Sequence, residues 1–182
     1  MPIKAFCWIL LLLSGCALSP DIRVDTNLKA SVYNEISSRY LPRPTFVKVR
    51  AVGEEYEDMA VTFETYADKD KLTTFAKSHV DEYLALIDKY LKWFDLAVSR
   101  KDQIYKVLGD ADGNGGLFYR FSFYSGNARE HFLVIETCSL GVCMEEVEDK
   151  LILNRKNALT LRRLLVSWKK GDIKAPVDAV YQ

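Results

Sequence analysis

Residues 70–98 read DKLTTFAKSHVDEYLALIDKYLKWFDLAV, and the spacing of apolar side chains here decides how the rest of the chain divides. Leu72, Phe75, Ala76, Tyr83, Leu84, Ile87, Tyr90, Leu91, Phe94 and Val98 recur at intervals of three and four. That is the period of one helical face. The spacing predicts a long amphipathic helix with Asp68 or Asp70 at its start, where a short carboxylate accepts a hydrogen bond from an unpaired first-turn amide. Lys77 with Asp81, and Asp88 with Lys92, lie four apart and place opposite charges together on the solvent side. The aromatic-rich stripe reads as core, with a ligand groove as the other use of such a face.

On the N-terminal side, Leu28, Val32, Ile36 and Tyr40 are spaced by four and predict a modest amphipathic helix over 26–40. Pro42 and Pro44 stop it, since proline excludes helix at the preceding residue and in helical interiors. Residues 45–52 alternate and read as a strand. The acidic cluster Glu54-Glu55-Tyr56-Glu57-Asp58 reads as a charged turn, followed by a second strand from Met59 to Tyr66.

On the C-terminal side, residues 99–108 are ambiguous between helix and strand. The run Gly109-Asp110-Ala111-Asp112-Gly113-Asn114-Gly115-Gly116 reads as a loop. Strands follow over 117–124 and 131–138, with a turn at Ser125-Gly126-Asn127, and one or two more run from Cys143 to Leu153. Ala158, Leu161, Leu164, Leu165 and Trp168 share one face of a closing helix over 155–170 that Asn154 caps; the tail from Gly171 reads as irregular. Strand runs separated from helices, without regular βαβ alternation, indicate an α+β fold: an antiparallel sheet of about five to six strands with the long helix and the C-terminal helix packed on it.

The composition bounds what such a domain does. The chain has 182 residues, 49% of them hydrophobic and 27% charged, enough for one domain with a real core. Its 25 basic and 25 acidic side chains give a net charge of zero, which argues against a general nucleic-acid binder. No apolar run reaches the roughly 18 residues of a membrane-spanning helix.

The N-terminus carries an address. Lys4 precedes an uninterrupted apolar run, Ala5 to Leu13, and the run ends in Leu13-Ser14-Gly15-Cys16. A charged start, a short apolar stretch and small residues before a break have the layout of a secretory signal. These four residues resemble the lipobox of bacterial lipoprotein precursors. The resemblance implies a signal peptide over 1–15, cleavage before Cys16, and a diacylglycerol on the Cys16 sulfur with acylation of its new amino group. Two or three acyl chains make attachment practically permanent, whereas one holds only marginally. It also implies an acylated N-terminus and tether over 16–25, and a single periplasmic domain over 26–182. Ala17, in place of the aspartate associated with inner-membrane retention, favours the inner leaflet of the outer membrane in a Gram-negative cell.

In that compartment disulfides persist. Cys7 would leave with the signal and Cys16 would be blocked, which leaves Cys138 and Cys143 flanking a short hairpin loop, Ser139 to Val142. Facing residues on paired strands lie within disulfide reach, and closing so small a loop stabilises by about 2 kcal/mol. The rival readings are a free thiol pair, a redox dithiol and half a zinc site. The spacing is not that of Cys-x-x-Cys, and zinc would need two further ligands when the chain offers only His79 and His131.

The most site-like stretch is the 109–116 loop. Asp110, Asp112 and Asn114 sit at the first, third and fifth positions of something similar to an EF-hand calcium loop, with Gly115 at its sharp turn. The twelfth position is Phe121 where that family needs a bidentate glutamate. A Gly/Asn/Asp-rich connector chosen for backbone freedom is the competing reading. The closing helix carries Arg155, Lys156, Arg162, Arg163, Lys169 and Lys170 and no acid; these either face anionic lipid or pair internally, for instance with Glu145, Glu146, Glu148 and Asp149. Neither His79 nor His131 lies in a recognisable nucleophile context, no phosphate-binding glycine loop follows a strand, and no cofactor is implied. Two classes of function remain: a membrane-anchored binding or interaction module (an assembly accessory or an immunity-type inhibitor with a protein partner), and an envelope hydrolase with an unrecognised active site.

Overall fold

The computed structural model describes residues 21–52, 55–66, 70–143 and 150–173. Residues 1–15, read above as a signal peptide, Cys16 and the acidic run 145–149 lie outside them. The class is α+β. In place of one sheet there are three antiparallel ones. The first has the order β1 (Ile22–Val24), β4 (Thr45–Val52), β5 (Glu55–Glu64), β6 (Asp70–Ala76). The second joins β7 (Tyr105–Asp112), β8 (Leu117–Ser125), β9 (His131–Ser139) and β10 (Val142–Cys143), with β11 (Leu151–Asn154) also on β9. The third is a hairpin of β2 (Ser31–Asn34) and β3 (Arg39–Pro42). Helices α1 (Val80–Arg100) and α2 (Arg155–Lys169) complete the fold.

Four expectations are corrected. The long helix begins at Val80, not near Asp70, and residues 70–76 form strand β6, paired with β5 from Glu64↔Asp70 to Asp58↔Ala76. Thr73 and Thr74 are β-branched and suit a pleated surface. Phe75 satisfies both periods, so its burial does not distinguish them, but Leu72 is 54% exposed where the helical stripe would bury it. The helix N-cap is His79, so Asp70 does not cap it, and Asp68 lies outside the described residues. Residues 26–40 form the β2–β3 hairpin instead of a helix. Its turn is held by Asn34, whose side-chain oxygen accepts from the Ser37 amide and hydroxyl, and by Ser38 at φ 50°. Ile36 at the tip is 98% exposed. Residues 22–24, expected to fall in a tether, form a strand instead: Ile22 and Val24 alternate with Arg23 and add β1 to the first sheet against Val49 and Val47. Finally, the acidic cluster before Met59 belongs mostly to β5.

The hydrophobic pattern explains the layers. Val47, Val49, Met59, Val61, Phe63 and Phe75 line the inner face of the first sheet. Tyr119, Phe121, Phe123, Leu133, Ile135, Leu151 and Leu153 line that of the second, and α1 and α2 join both in one core. The stripe expected on the long helix is core from Tyr83 onward: Tyr83, Ile87 and Tyr90 are fully buried, although Val98 is exposed. A smaller cluster on the other face of the second sheet (Phe132, Val134, Ile152) is covered by the hairpin through Tyr40.

Tyrosine hydroxyls join the two large sheets. The Tyr83 hydroxyl accepts from the Ala76 amide on β6 and donates to the Asp112 carbonyl on β7. Tyr119 on β8 donates to the Thr74 carbonyl on β6. Edge groups that would otherwise be unpaired are thereby satisfied. Burial pushes the Tyr119 phenol up to about 12 and raises that of Tyr83 as well.

The two helices lie antiparallel along a charge ladder. Lys169 pairs with Asp81 at 2.5 Å, Arg162 with Asp88 at 2.6 Å and Arg155 with Asp95 at 3.3 Å. Both sets repeat every seven residues, which keeps the partners abreast along the pair. The acids expected to pair with lysines on their own helix thus serve α2 instead. Asn154 caps α2 as expected, accepting from the Asn157 amide at 3.0 Å.

Candidate functional site

Three surfaces bring chemistry-bearing side chains together. The first lies where the end of β6, the start of α1 and the end of β7 meet. A 3₁₀ turn over Lys77–His79 links β6 to α1 and sets His79 at the helix N-cap. His79 Nδ1 lies 2.9 Å from Glu82 Oε1, and Glu82 Oε2 accepts from the Asp112 amide at 3.1 Å. These two hydrogen bonds hold the Glu82 carboxyl below the usual carboxylate range. One ligating atom each from His79, Glu82 and Asp112 falls within 4.8 Å of the others. Beside them, Glu57, Ala76, Lys77, Ser78 and Asn114 line a cleft of about 310 Å³.

The second surface is the outer face of the second sheet. Strand pairing sets Tyr105, Tyr124 and Phe132 in one row and Val107, Ser122, Val134 and Ile152 in the next. A row of charge follows: Asp110 and Arg120 form a two-pronged pair at 3.0 and 3.1 Å, and Glu136, 6% exposed, meets Lys150 at 2.5 Å. The hairpin extends the aromatic row sideways, because ring centroids run Tyr33–Tyr40 at 5.2 Å, Tyr40–Tyr124 at 6.0 Å and Tyr105–Tyr124 at 6.4 Å. Tyr105 is 60% and Tyr33 41% exposed, and Val107 and Ile36 add apolar surface. Burial and the neighbouring Tyr124 push the Tyr40 phenol up to about 12. No local sequence pattern announces this face; its members are far apart in the chain and converge only through strand register.

The third is the Ser125–His131 pair, which closes the β8–β9 hairpin at 2.8 Å. A serine beside an imidazole is the start of a nucleophile–base pair. Here the imidazole is 1% exposed, lies against Phe94 and Phe123, and leaves Nε2 buried without a partner. Burial lowers its pKa, which weakens it as a base, and among the described residues no acid orients it. The geometry is that of a hairpin clasp.

The remaining sequence candidates are placed as follows. The 109–116 segment is a loop only from Gly113, since Asp110 and Asp112 belong to β7. Asp110 is engaged by Arg120, Asn114 donates to Asp58, and Asp112 turns toward Glu82 and His79, so the calcium-loop trio is not gathered on one centre. Cys138 and Cys143 face one another across β9 and β10 and are joined by a disulfide with a sulfur–sulfur distance of 2.04 Å. Leu140 and Gly141 form its two-residue turn, both at positive φ, as a tight hairpin of this hand requires. On α2, Arg155, Arg162 and Lys169 are paired with α1. The acidic run 145–149, a candidate partner of that helix, and Cys16, the expected lipidation residue, lie outside the described residues. Among the described residues no helix is long and apolar enough to cross a membrane.

No family model, no curated protein and no solved structure matches this chain.

Proposed function

We propose that the chain is a lipid-anchored protein of the bacterial envelope that binds a protein partner through the tyrosine-lined outer face of its second sheet, without chemistry of its own. The anchor rests on the lipobox-like Leu13-Ser14-Gly15-Cys16 and its charged and apolar prelude. The observation that carries the binding reading is the aromatic row Tyr33–Tyr40–Tyr124–Tyr105, exposed at its two ends, Tyr33 and Tyr105, and half-buried between them. Tyrosine supplies a large contact area at low conformational cost and is enriched in interface cores. Packing the rings on one another and on a rigid sheet orders them before a partner arrives, which removes part of the ordering cost of binding. The charged row beside them supplies a polar rim. An accessory of envelope assembly and an immunity-type inhibitor both need such a surface.

Affinity capture from intact envelopes tests the reading. A partner retained by the native chain and lost from a Tyr33→Ala/Tyr105→Ala variant supports it; equal recovery from both removes this face from consideration. For the anchor, Cys16→Ser is expected to abolish palmitate incorporation and membrane fractionation.

A further inference from the structure

The geometry points to a binding site for one divalent first-row transition ion, Zn²⁺ above all, formed by His79 Nδ1, a Glu82 carboxylate oxygen and an Asp112 carboxylate oxygen at the junction of α1 with β7. This stands independently of the partner-binding reading. An ion bonded to nitrogen and oxygen donors at about 2.1 Å requires those donors to be roughly 3.0–3.4 Å apart. His79 Nδ1 and Glu82 Oε1 are 2.9 Å apart, and the Asp112 donor completes a set within 4.8 Å, so a small inward rotation of one carboxylate closes it.

The donors stand on rigid elements. His79 and Glu82 occupy the N-cap and first turn of α1, and Asp112 ends β7. The Asp112 amide bonded to Glu82 and the Asp112 carbonyl bonded to Tyr83 fix the strand end against the helix. Two carboxylates are therefore held close together, and a cation bound between them would be attracted by both. Among the described residues the side-chain partner of Glu82 is His79, and no lysine or arginine forms an ion pair with Asp112. An imidazole with two carboxylates suits Zn²⁺ or its neighbours, and three protein ligands leave room for water. Calcium, which takes about six to eight oxygens, is poorly served by three donors, one of them nitrogen. The site thus uses Asp112 but neither Asp110 nor Asn114.

Isothermal titration of the purified, tag-free chain with ZnCl₂ and, separately, CaCl₂ decides the matter. Of the two histidines, His131 is buried, so His79 is the imidazole an added ion meets. We expect one Zn²⁺ per chain and no saturable Ca²⁺ binding. Losing even an outer-shell partner of a metal costs about 10–100-fold in affinity, so His79→Ala and Asp112→Ala are each expected to weaken Zn²⁺ binding at least about tenfold. Asp110→Ala should bind as the native chain does. His79→Gln replaces His79→Ala if the latter lacks native circular dichroism. Absence of saturable Zn²⁺ binding, or unchanged affinity in the His79 variant, overturns the site. Saturable Ca²⁺ binding lost in Asp110→Ala would overturn it in favour of the 110–114 loop.

Discussion

Tyr83→Phe removes a single oxygen and is expected to loosen the joint between the two large sheets. The hydroxyl accepts from the Ala76 amide at 3.3 Å and donates to the Asp112 carbonyl, while its ring packs on Phe75 at 5.2 Å and on Phe121 at 6.2 Å. The substitution keeps the ring contacts and leaves both backbone groups without this partner. Ala76 is 2% exposed, so its amide cannot turn to water. A buried donor left unsatisfied costs about 1–3 kcal/mol. The Asp112 carbonyl lies at a more exposed strand end, where water recovers most of the loss, which adds about 0.5 kcal/mol. The sum is about 2 kcal/mol, or a Tm lower by about 4–8 °C for a domain of this size. Urea unfolding followed by tryptophan fluorescence measures it, because Trp168 is buried in the same core. Tyr105→Phe, at an exposed ring, is the control and should stay within about 0.5 kcal/mol of the native chain. A Tyr83→Phe midpoint indistinguishable from that control would refute the claim that tyrosine hydroxyls join the sheets.

Three further outcomes follow from the same structure. Lys150→Ala strands the buried Glu136 carboxylate and is expected to cost about 2 kcal/mol, most of it recovered in a Lys150→Met/Glu136→Gln double variant; chemical denaturation of the two variants compares them. The helix ladder is solvent-exposed, so a double-mutant cycle on Asp88→Asn and Arg162→Gln should give a coupling of only about 0.3–1 kcal/mol, reduced in high salt. Burial lowers the His131 pKa below that of a free imidazole, so the folded state binds that proton less readily than the unfolded state. Its contribution is present above about pH 6.5 and is lost as pH falls toward the lower folded value. Stability measured from pH 7.5 downward should therefore decline below that point, and less steeply in His131→Leu.

The elements legible in the sequence were those in which one period dominated. Residues 45–52 and 117–124 alternate, and Ala158 to Trp168 follow a helical face with a capping asparagine, so strand and helix follow from side-chain geometry alone. Residues 70–76 misled because Phe75 and Ala76 suit both periods, and what settles them is hydrogen bonding to β5, a partner remote in sequence. Leu28, Val32, Ile36 and Tyr40 misled for a related reason. Their spacing of four is also even, hence compatible with a strand and turn, and the Asn34 side chain stabilises the turn that a helix would forbid. The Cys138–Cys143 pairing was legible because both partners flank one short loop.

Of the candidate sites, Asp112 was visible in the sequence but its companions were not. Asp110 and Asn114 are near in sequence, yet the strand turns them to Arg120 and Asp58, while His79 and Glu82 reach Asp112 across the α1–β7 junction. The aromatic row was invisible for the same reason, since Tyr33 and Tyr105 adjoin only through the stacking of a hairpin on a sheet. The basic face of α2 was legible as a charged stripe, but the acids that pair with it come from α1, where Asp81 and Asp88 had been matched to lysines near them in sequence and Asp95 had no assigned partner.

On the proposed reading, the tyrosine-lined face meets a protein partner in the envelope. Site-specific photo-crosslinking in living cells tests it most directly, with a photoreactive residue at position 36 or 105 on that face, or at position 92 on the exposed surface of α1. The account predicts one discrete adduct from positions 36 and 105 and none from position 92. No adduct from the face, or the same adduct from all three positions, would contradict it.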